Sequence, residues 1–252
     1  MRLRDLCFTL LVVLVAGTKP ASASGFSLAW DYCRESGGPF SKSFACDTRI
    51  GYENLVVAVV APADMPRFIG ASMIVDFWVC EGDLPPWWQV GTGQCRASLI
   101  RPSFDPAGFP LTEECPSLWG FVNPFSAYVI QSGLYGSNHF RLQAAAAVPA
   151  GSEFAIEGNS WPYVVARIVV SHAKSTGTDA CAGCRVGAAV SLAEMKLEQP
   201  LGIGTLTITT PADFGLGWAG FNASVAGIYN RQPDCTTPTA SRTWGQIKTL
   251  YR

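Results

Sequence analysis

Charge is scarce in this chain of 252 residues. Asp, Glu, Lys and Arg together make up 15% of it, and the formal net charge is −1. A typical globular chain carries about a quarter. Such a balance offers no electrostatic footprint for nucleic acid or for an anionic membrane. Histidine is scarcer still, with only His139 and His172. No Gly-x-Ser-x-Gly is present, so the serine-hydrolase signature fails. Zinc-protease and phosphate-loop motifs are missing as well. No apolar run is long enough for a membrane helix.

What is abundant is apolar residues and chain breakers: 48% hydrophobic residues, 25 glycines and 17 prolines. That mixture opposes both a helical bundle and disorder, and fits a β-sandwich or barrel with many turns. The richest stretch is Trp161–Pro200. Within it, Tyr163–His172 is dense in Val and Ile, and Ala188–Leu197 alternates apolar and polar positions. Both read as antiparallel strands of one hairpin, joined by a Gly/Ser/Thr loop over 174–187. Further strands are expected at Phe26–Trp30, Tyr52–Pro62, Phe68–Val79, Arg96–Ile100, Phe125–Ser132, Asn138–Val148, Glu153–Glu157 and Leu206–Thr210. Gln143–Ala147 has helical composition, but Pro149 and Gly151 limit it to about one turn. Trp244, Ile247 and Tyr251 fall at helical spacing, which predicts a short C-terminal helix. The fold class expected is all-β: an antiparallel, jelly-roll-like sandwich with disulfides and that terminal helix.

The first residues read as an export signal. Arg2 and Arg4 precede an 11-residue apolar run, Leu6–Ala16, and Ala21-Ser-Ala23 is a small-residue cleavage site. The expected organisation is a signal peptide at 1–23, a β domain at 24–232, and a linker with a helical tail at 233–252. Removal of the signal leaves fifteen basic and eighteen acidic residues, a net charge of −3. It also leaves an even set of cysteines: Cys33, Cys46, Cys80, Cys95, Cys115, Cys181, Cys184 and Cys235. In an exported chain an even set argues for disulfides and a secreted, periplasmic or cell-surface address. Proximity favours Cys33–Cys46, Cys95–Cys115, Cys181–Cys184 and Cys80–Cys235. The Cys181-Ala-Gly-Cys184 motif also admits half of a zinc site or a redox pair. However, no second close pair exists, and its flanks are strand-like.

Four segments carry a resemblance: Ala29-Trp-Asp-Tyr-Cys33, Phe44-Ala-Cys-Asp47, the Cys181-Ala-Gly-Cys184 loop before a strand, and the closing Thr243-Trp-Gly-Gln-Ile-Lys248. Together they resemble a group of secreted, cysteine-containing bacterial proteins with no assigned activity. The resemblance carries over no catalytic residue. The chain departs from the group after Cys184, where Ala188 and Ala189 stand in place of a further cysteine. The strand Val190–Leu197 is similar to a late strand of jelly-roll carbohydrate-binding modules, a likeness of pattern alone.

Several residues could carry function. Trp87 and Trp88 follow two prolines and Trp119 lies in an irregular stretch, so all three are candidate ligand-binding rings for a glycan or a cell-surface partner; filling the core is the competing role. Asp76 and Glu194, on strands, are the acids to consider for glycoside hydrolysis, against solvated strand faces. His139 and His172 read as strand-end residues. Asp31, Asp47 and Glu53 are the acids that could gather around calcium, yet no dense Asp/Asn loop accompanies them. Asn222-Ala-Ser224 is a glycosylation sequon only in a eukaryotic host. No metal and no cofactor is expected, and no partner nucleic acid. The reading is an extracellular binding or structural module, more readily a binder than an enzyme. The alternative is an extracellular polysaccharide hydrolase.

Overall fold

Runs of Val, Ile, Phe and Trp form the strands, because branched and aromatic side chains fit a pleated, buried surface. The computed structural model describes residues 24–33, 36–120, 122–158, 161–209 and 218–222, and the backbone of strands at 224–229 and 232–236. The expected signal peptide and the expected helix at 243–252 lie outside the described residues. In chain order the strands are β1 (Gly25–Trp30), β2 (Ser41–Lys42), β3 (Tyr52–Val60), β4 (Met65–Phe68), β5 (Gly70–Val79), β6 (Ile100–Ser103), β7 (Phe125–Ser132) and β8 (His139–Ala147). There follow β9 (Phe154–Ile156), β10 (Tyr163–Ser171), β11 (Ala188–Glu198), β12 (Thr205–Ile208), β13 (Trp218–Phe221), β14 (Ser224–Tyr229) and β15 (Gln232–Thr236). Between the strands lie loops and short 3-10 turns such as Pro86–Trp88 and Pro106–Gly108. The described residues are therefore all-β. β15 runs across the boundary that the sequence placed between 232 and 233.

Two sheets make the body. One has the order β1-β3-β10-β6. The other has the order β2-β13-β11-β5-β8-β7, with β12 beside β13 along the same edge of β11. All pairings are antiparallel except β2 with β13. Side chains from both sheets meet in one continuous core. On β5 the inward set is Ala71, Met73, Val75, Phe77 and Val79, each no more than 2% exposed. Trp30, Trp87, Trp88 and Phe221 fill one end, and Phe44 packs edge-on against Trp87 at 5.0 Å.

β10 and β11 are not a hairpin. β10 lies in the four-stranded sheet, β11 in the seven-stranded one, and the segment 172–187 crosses between them. Local alternation fixes a strand's faces and not its neighbours, which explains the difference. Two bulges account for the irregular periods. Ladder shifts at Val164/Ala166 and Leu192/Glu194 each insert one residue. An inserted residue flips the face of everything after it. On β11, Val190 and Leu192 face the core before the bulge, and Met195 and Leu197 face it afterwards. The run Gln143–Ala147 is strand, the end of β8, paired on both sides.

The disulfide map differs from the proximity pairing. Cys33 bonds to Cys115, Cys46 to Cys184, and Cys95 to Cys181. Cys80 is disulfide-bonded as well. Its expected partner, Cys235, has a side chain outside the described residues. The crossing segment is thus tied at Cys181 and Cys184 to two different parts of the chain. This corrects the short-range bridges Cys33–Cys46, Cys95–Cys115 and Cys181–Cys184: strand pairing, not sequence distance, decides which thiols meet.

Candidate functional site

The three candidate tryptophans offer no open ring face. Trp87, Trp88 and Trp119 are 0%, 1% and 0% exposed. Each indole N–H is held inside: Trp87 Nε1 donates to Ser175 Oγ, Trp88 Nε1 to the Val186 carbonyl and Trp119 Nε1 to the Val165 carbonyl. Prolines 85 and 86 turn the chain inward through a 3-10 turn rather than holding the rings out. A ligand ring cannot reach any of them.

Asp76 and His139 come together on the outward face of the larger sheet, at 2% and 0% exposure. Asp76 stands opposite Arg141 in the β5–β8 ladder, and Trp78 opposite His139. Arg141 donates Nε to Asp76 Oδ1 and Nη2 to Oδ2, both at 2.8 Å, and His139 Nε2 lies 2.8 Å from Oδ1. Burial by itself raises the Asp76 pKa. The Arg141 fork and the His139 contact outweigh it and hold the carboxyl below its ordinary value of 3.8. An ionised, enclosed carboxylate with both oxygens engaged is unfit as a general acid. Glu194 pairs with Lys196 at 3.1 Å on the surface.

At the other sheet, Asp31 and Glu53 do converge, but on an ammonium. Lys42 Nζ donates to both oxygens of Asp31 at 2.6 Å and pairs with Glu53. Glu53 also meets His172 Nε2 at 2.9 Å. Burial opposes the Lys42 charge, yet the two carboxylates outweigh it and raise its pKa above 10.5. The lysine occupies the position a bound cation would take, and no cluster of metal-ligating side chains exists among the described residues. Asp47 is exposed.

Arg96 is a residue that sequence reasoning passed over. It is 0% exposed. Its guanidinium lies 3.5 Å over the Trp87 ring, and it donates to the Trp87 and Ser171 carbonyls. With no carboxylate among these contacts, burial lowers its pKa to about 9. Its place beside Cys95 makes it a brace for the crossing segment. A depression of about 800 Å³ lies over that segment and is walled by Cys46, Cys181 and Cys184. Ser175 in its wall accepts from the Trp87 indole N–H. Asn222 accepts from the Phe44 N–H and donates to the Cys184 carbonyl, so the sequon amide is committed too.

The accessible face is elsewhere, on the outside of the larger sheet. Two adjoining troughs of about 520 and 460 Å³ run across β11, β5, β8 and β7. Their shared floor is small: Ser72, Ala127 and Ala145. A Cβ on Gly70 would stand 2.6 Å from the Ala146 carbonyl oxygen, so a glycine is required where β5 meets β8. Phe125, 73% exposed, and Val129, 49% exposed, which stand opposite Ala147 and Gln143 on the same outward face, form the rim at β7. Glu194, Lys196 and Glu198 form the opposite rim. The sequence signal was the alanine run Gln143–Ala147, whose outward members Ala145 and Ala147 are exposed.

Comparison with protein-family models, with curated proteins and with solved structures finds no match for this chain.

Proposed function

We propose that this protein is an extracellular binding module, a jelly-roll-like sandwich that takes an extended, uncharged glycan across the open face of its larger sheet. One observation carries the reading: a shallow, apolar, small-residue trough that crosses four strands and is rimmed by Phe125 and Val129. Ring faces and small apolar floors suit the apolar faces of sugar rings, while rim side chains supply orientation. The disulfides fit an oxidising compartment outside the cytosol. The resemblance to secreted, cysteine-containing bacterial proteins is in keeping with that address. Among the described residues no helix is long and apolar enough to cross a membrane. The hydrolase reading loses its first carboxylate, because Asp76 is enclosed and clamped.

A panel of neutral polysaccharides in affinity electrophoresis tests the proposal. Retardation by at least one is expected. Ala145→Arg, which fills the floor of both troughs, is expected to weaken that binding at least about tenfold, some 1.4 kcal/mol. Trp87→Phe, in the core, is expected to leave it unchanged. No retarding polysaccharide, or full binding by the Ala145→Arg protein, sinks the reading.

A further inference from the structure

We propose that β7 is an assembly edge, along which the chain pairs with a second copy of itself about a two-fold axis at Val129. The inference is independent of the glycan reading. Among the described residues β7 ends the larger sheet and pairs only with β8. That ladder runs from Phe125 opposite Ala147 to Ser132 opposite Phe140 without a shift. Sheet edges are ordinarily blunted by charge, proline, bulges, shortness or cover. The other edges of the two main sheets obey this. β6 has four residues and carries Arg101 and Pro102. β1 is buried along its whole length. β12 has four residues and β2 two. β7 has none of these devices: its eight residues, Phe-Ser-Ala-Tyr-Val-Ile-Gln-Ser, contain no charge, proline or glycine. Ile130 packs partly against the core, and its other large apolar side chains are open, with Val129 49% and Tyr128 41% exposed.

The free peptide groups fix the register. The Gly133 N–H donates to the His139 carbonyl at 3.0 Å. Bonding alternates along an antiparallel strand, so the odd-numbered residues of β7 are directed at β8. Ser126, Tyr128, Ile130 and Ser132 therefore turn their N–H and C=O groups to the open edge. A two-fold axis perpendicular to the sheet at Val129 sets Ser126 opposite Ser132 of the second copy, and Tyr128 opposite its Ile130. Every outward peptide group then finds a reciprocal partner, and outward faces stay with outward faces. Val129 meets its own copy across the axis, in a pair of the close, non-hydrogen-bonded kind with Cα atoms about 4.5 Å apart. Aromatic and β-branched residues opposite one another are favourable, and like charges opposite one another are not. An uncharged strand meets its own copy without repulsion, and the contact closes as a dimer because each copy presents the same surface.

The symmetry gives the test. The disulfide-intact chain is examined by sedimentation velocity as wild type, Val129→Lys, Val129→Glu and an equal mixture of the two variants. The wild type is expected to be a dimer. Each variant places like charges on the axis and is expected to dissociate at least about tenfold more readily. The mixture is expected to restore a dimer holding one chain of each kind, because only this register puts residue 129 opposite itself. A wild type that is monomeric at about 100 µM overturns the proposal and leaves the edge to a strand of some other protein. Variants that still dimerise, or a mixture that does not recover, overturn it as well. Should either variant fail to fold, hydrogen exchange on the wild type decides. The amides of Ser126, Tyr128, Ile130 and Ser132 gain protection with concentration if the proposal holds, and exchange freely at all concentrations if it does not.

Discussion

At Asp76 three influences act on one carboxylate. Burial favours the neutral acid, and the Arg141 fork and the His139 ring favour the anion and prevail. A carboxyl whose pKa is lower folded than unfolded stabilises the fold above the unfolded value, and that support is lost as pH falls through the folded value. Asp76→Asn preserves shape while removing the charge-assisted bonds. It is expected to cost about 2 kcal/mol at pH 7, with the difference from wild type shrinking below about pH 4. Urea melts at pH 7 and near pH 2.5 check this; equal differences at both would mean that charge plays no part. The Lys42 cluster works in the opposite sense. Its support is present below 10.5 and fades as pH rises past the elevated folded value. The Asp76 cluster was not legible in advance, since Asp76 and His139 lie far apart in the chain and only the β5–β8 register joins them; of the Lys42 cluster the meeting of Asp31 and Glu53 was legible and the lysine between them was not.

Among the elements, the crossing segment 172–187 shows how little a loop's composition reveals about its constraint. It reads as a flexible connection, yet it is held by Cys95–Cys181, by Cys46–Cys184, and by a hydrogen bond from Lys174 Nζ to the Cys95 carbonyl. Replacing Cys95 and Cys181 together by serine is expected to lower stability by about 2–4 kcal/mol. Calorimetry gives the loss, and hydrogen exchange should place the extra opening at Lys174–Cys181 while β5 stays protected. Uniform loosening of β5 instead would show that the bridge supports the whole body. The strands were the legible part. β3, β5, β7, β8 and β10 fall within a residue or two of their expected bounds, and outside the alanine-rich end of β8 their branched and aromatic density leaves no competing structure. The bulge on β11 was not, because one extra residue leaves the composition unchanged and inverts every face beyond it.

For the whole molecule, fold class followed from what a single stretch contains, and assembly did not. Glycine, proline and β-branched residues specify turns and strands locally. Whether β10 and β11 share a sheet, or which thiols meet, depends on residues tens of positions away. The same limit kept the open face hidden: its floor comes from β5, β7 and β8, and the alanine run of β8 does not by itself say which strands lie beside it. The buried tryptophans carried the misleading signal, because prolines beside a ring do not say which way the ring turns.

The long-range cross-links have a consequence for how the chain comes to exist. The bridges join positions 82, 138 and 86 residues apart. Loop-closure entropy grows with length, so an unfolded, oxidising chain samples its short-range couples first. Cys181 with Cys184, and Cys33 with Cys46, are the couples that reasoning by proximity chose, and they are wrong for the folded state. A chain that oxidises as it folds faces the same temptation, and its maturation then depends on reshuffling by thiolate attack. Oxidative refolding of the reduced chain is expected to pass through these mispaired species, and a disulfide isomerase should raise the yield of native connectivity severalfold. Peptide mapping of trapped intermediates checks it: a direct, unassisted route to Cys46–Cys184 with no local couples on the way would mean that the sheets assemble before the sulfur chemistry begins.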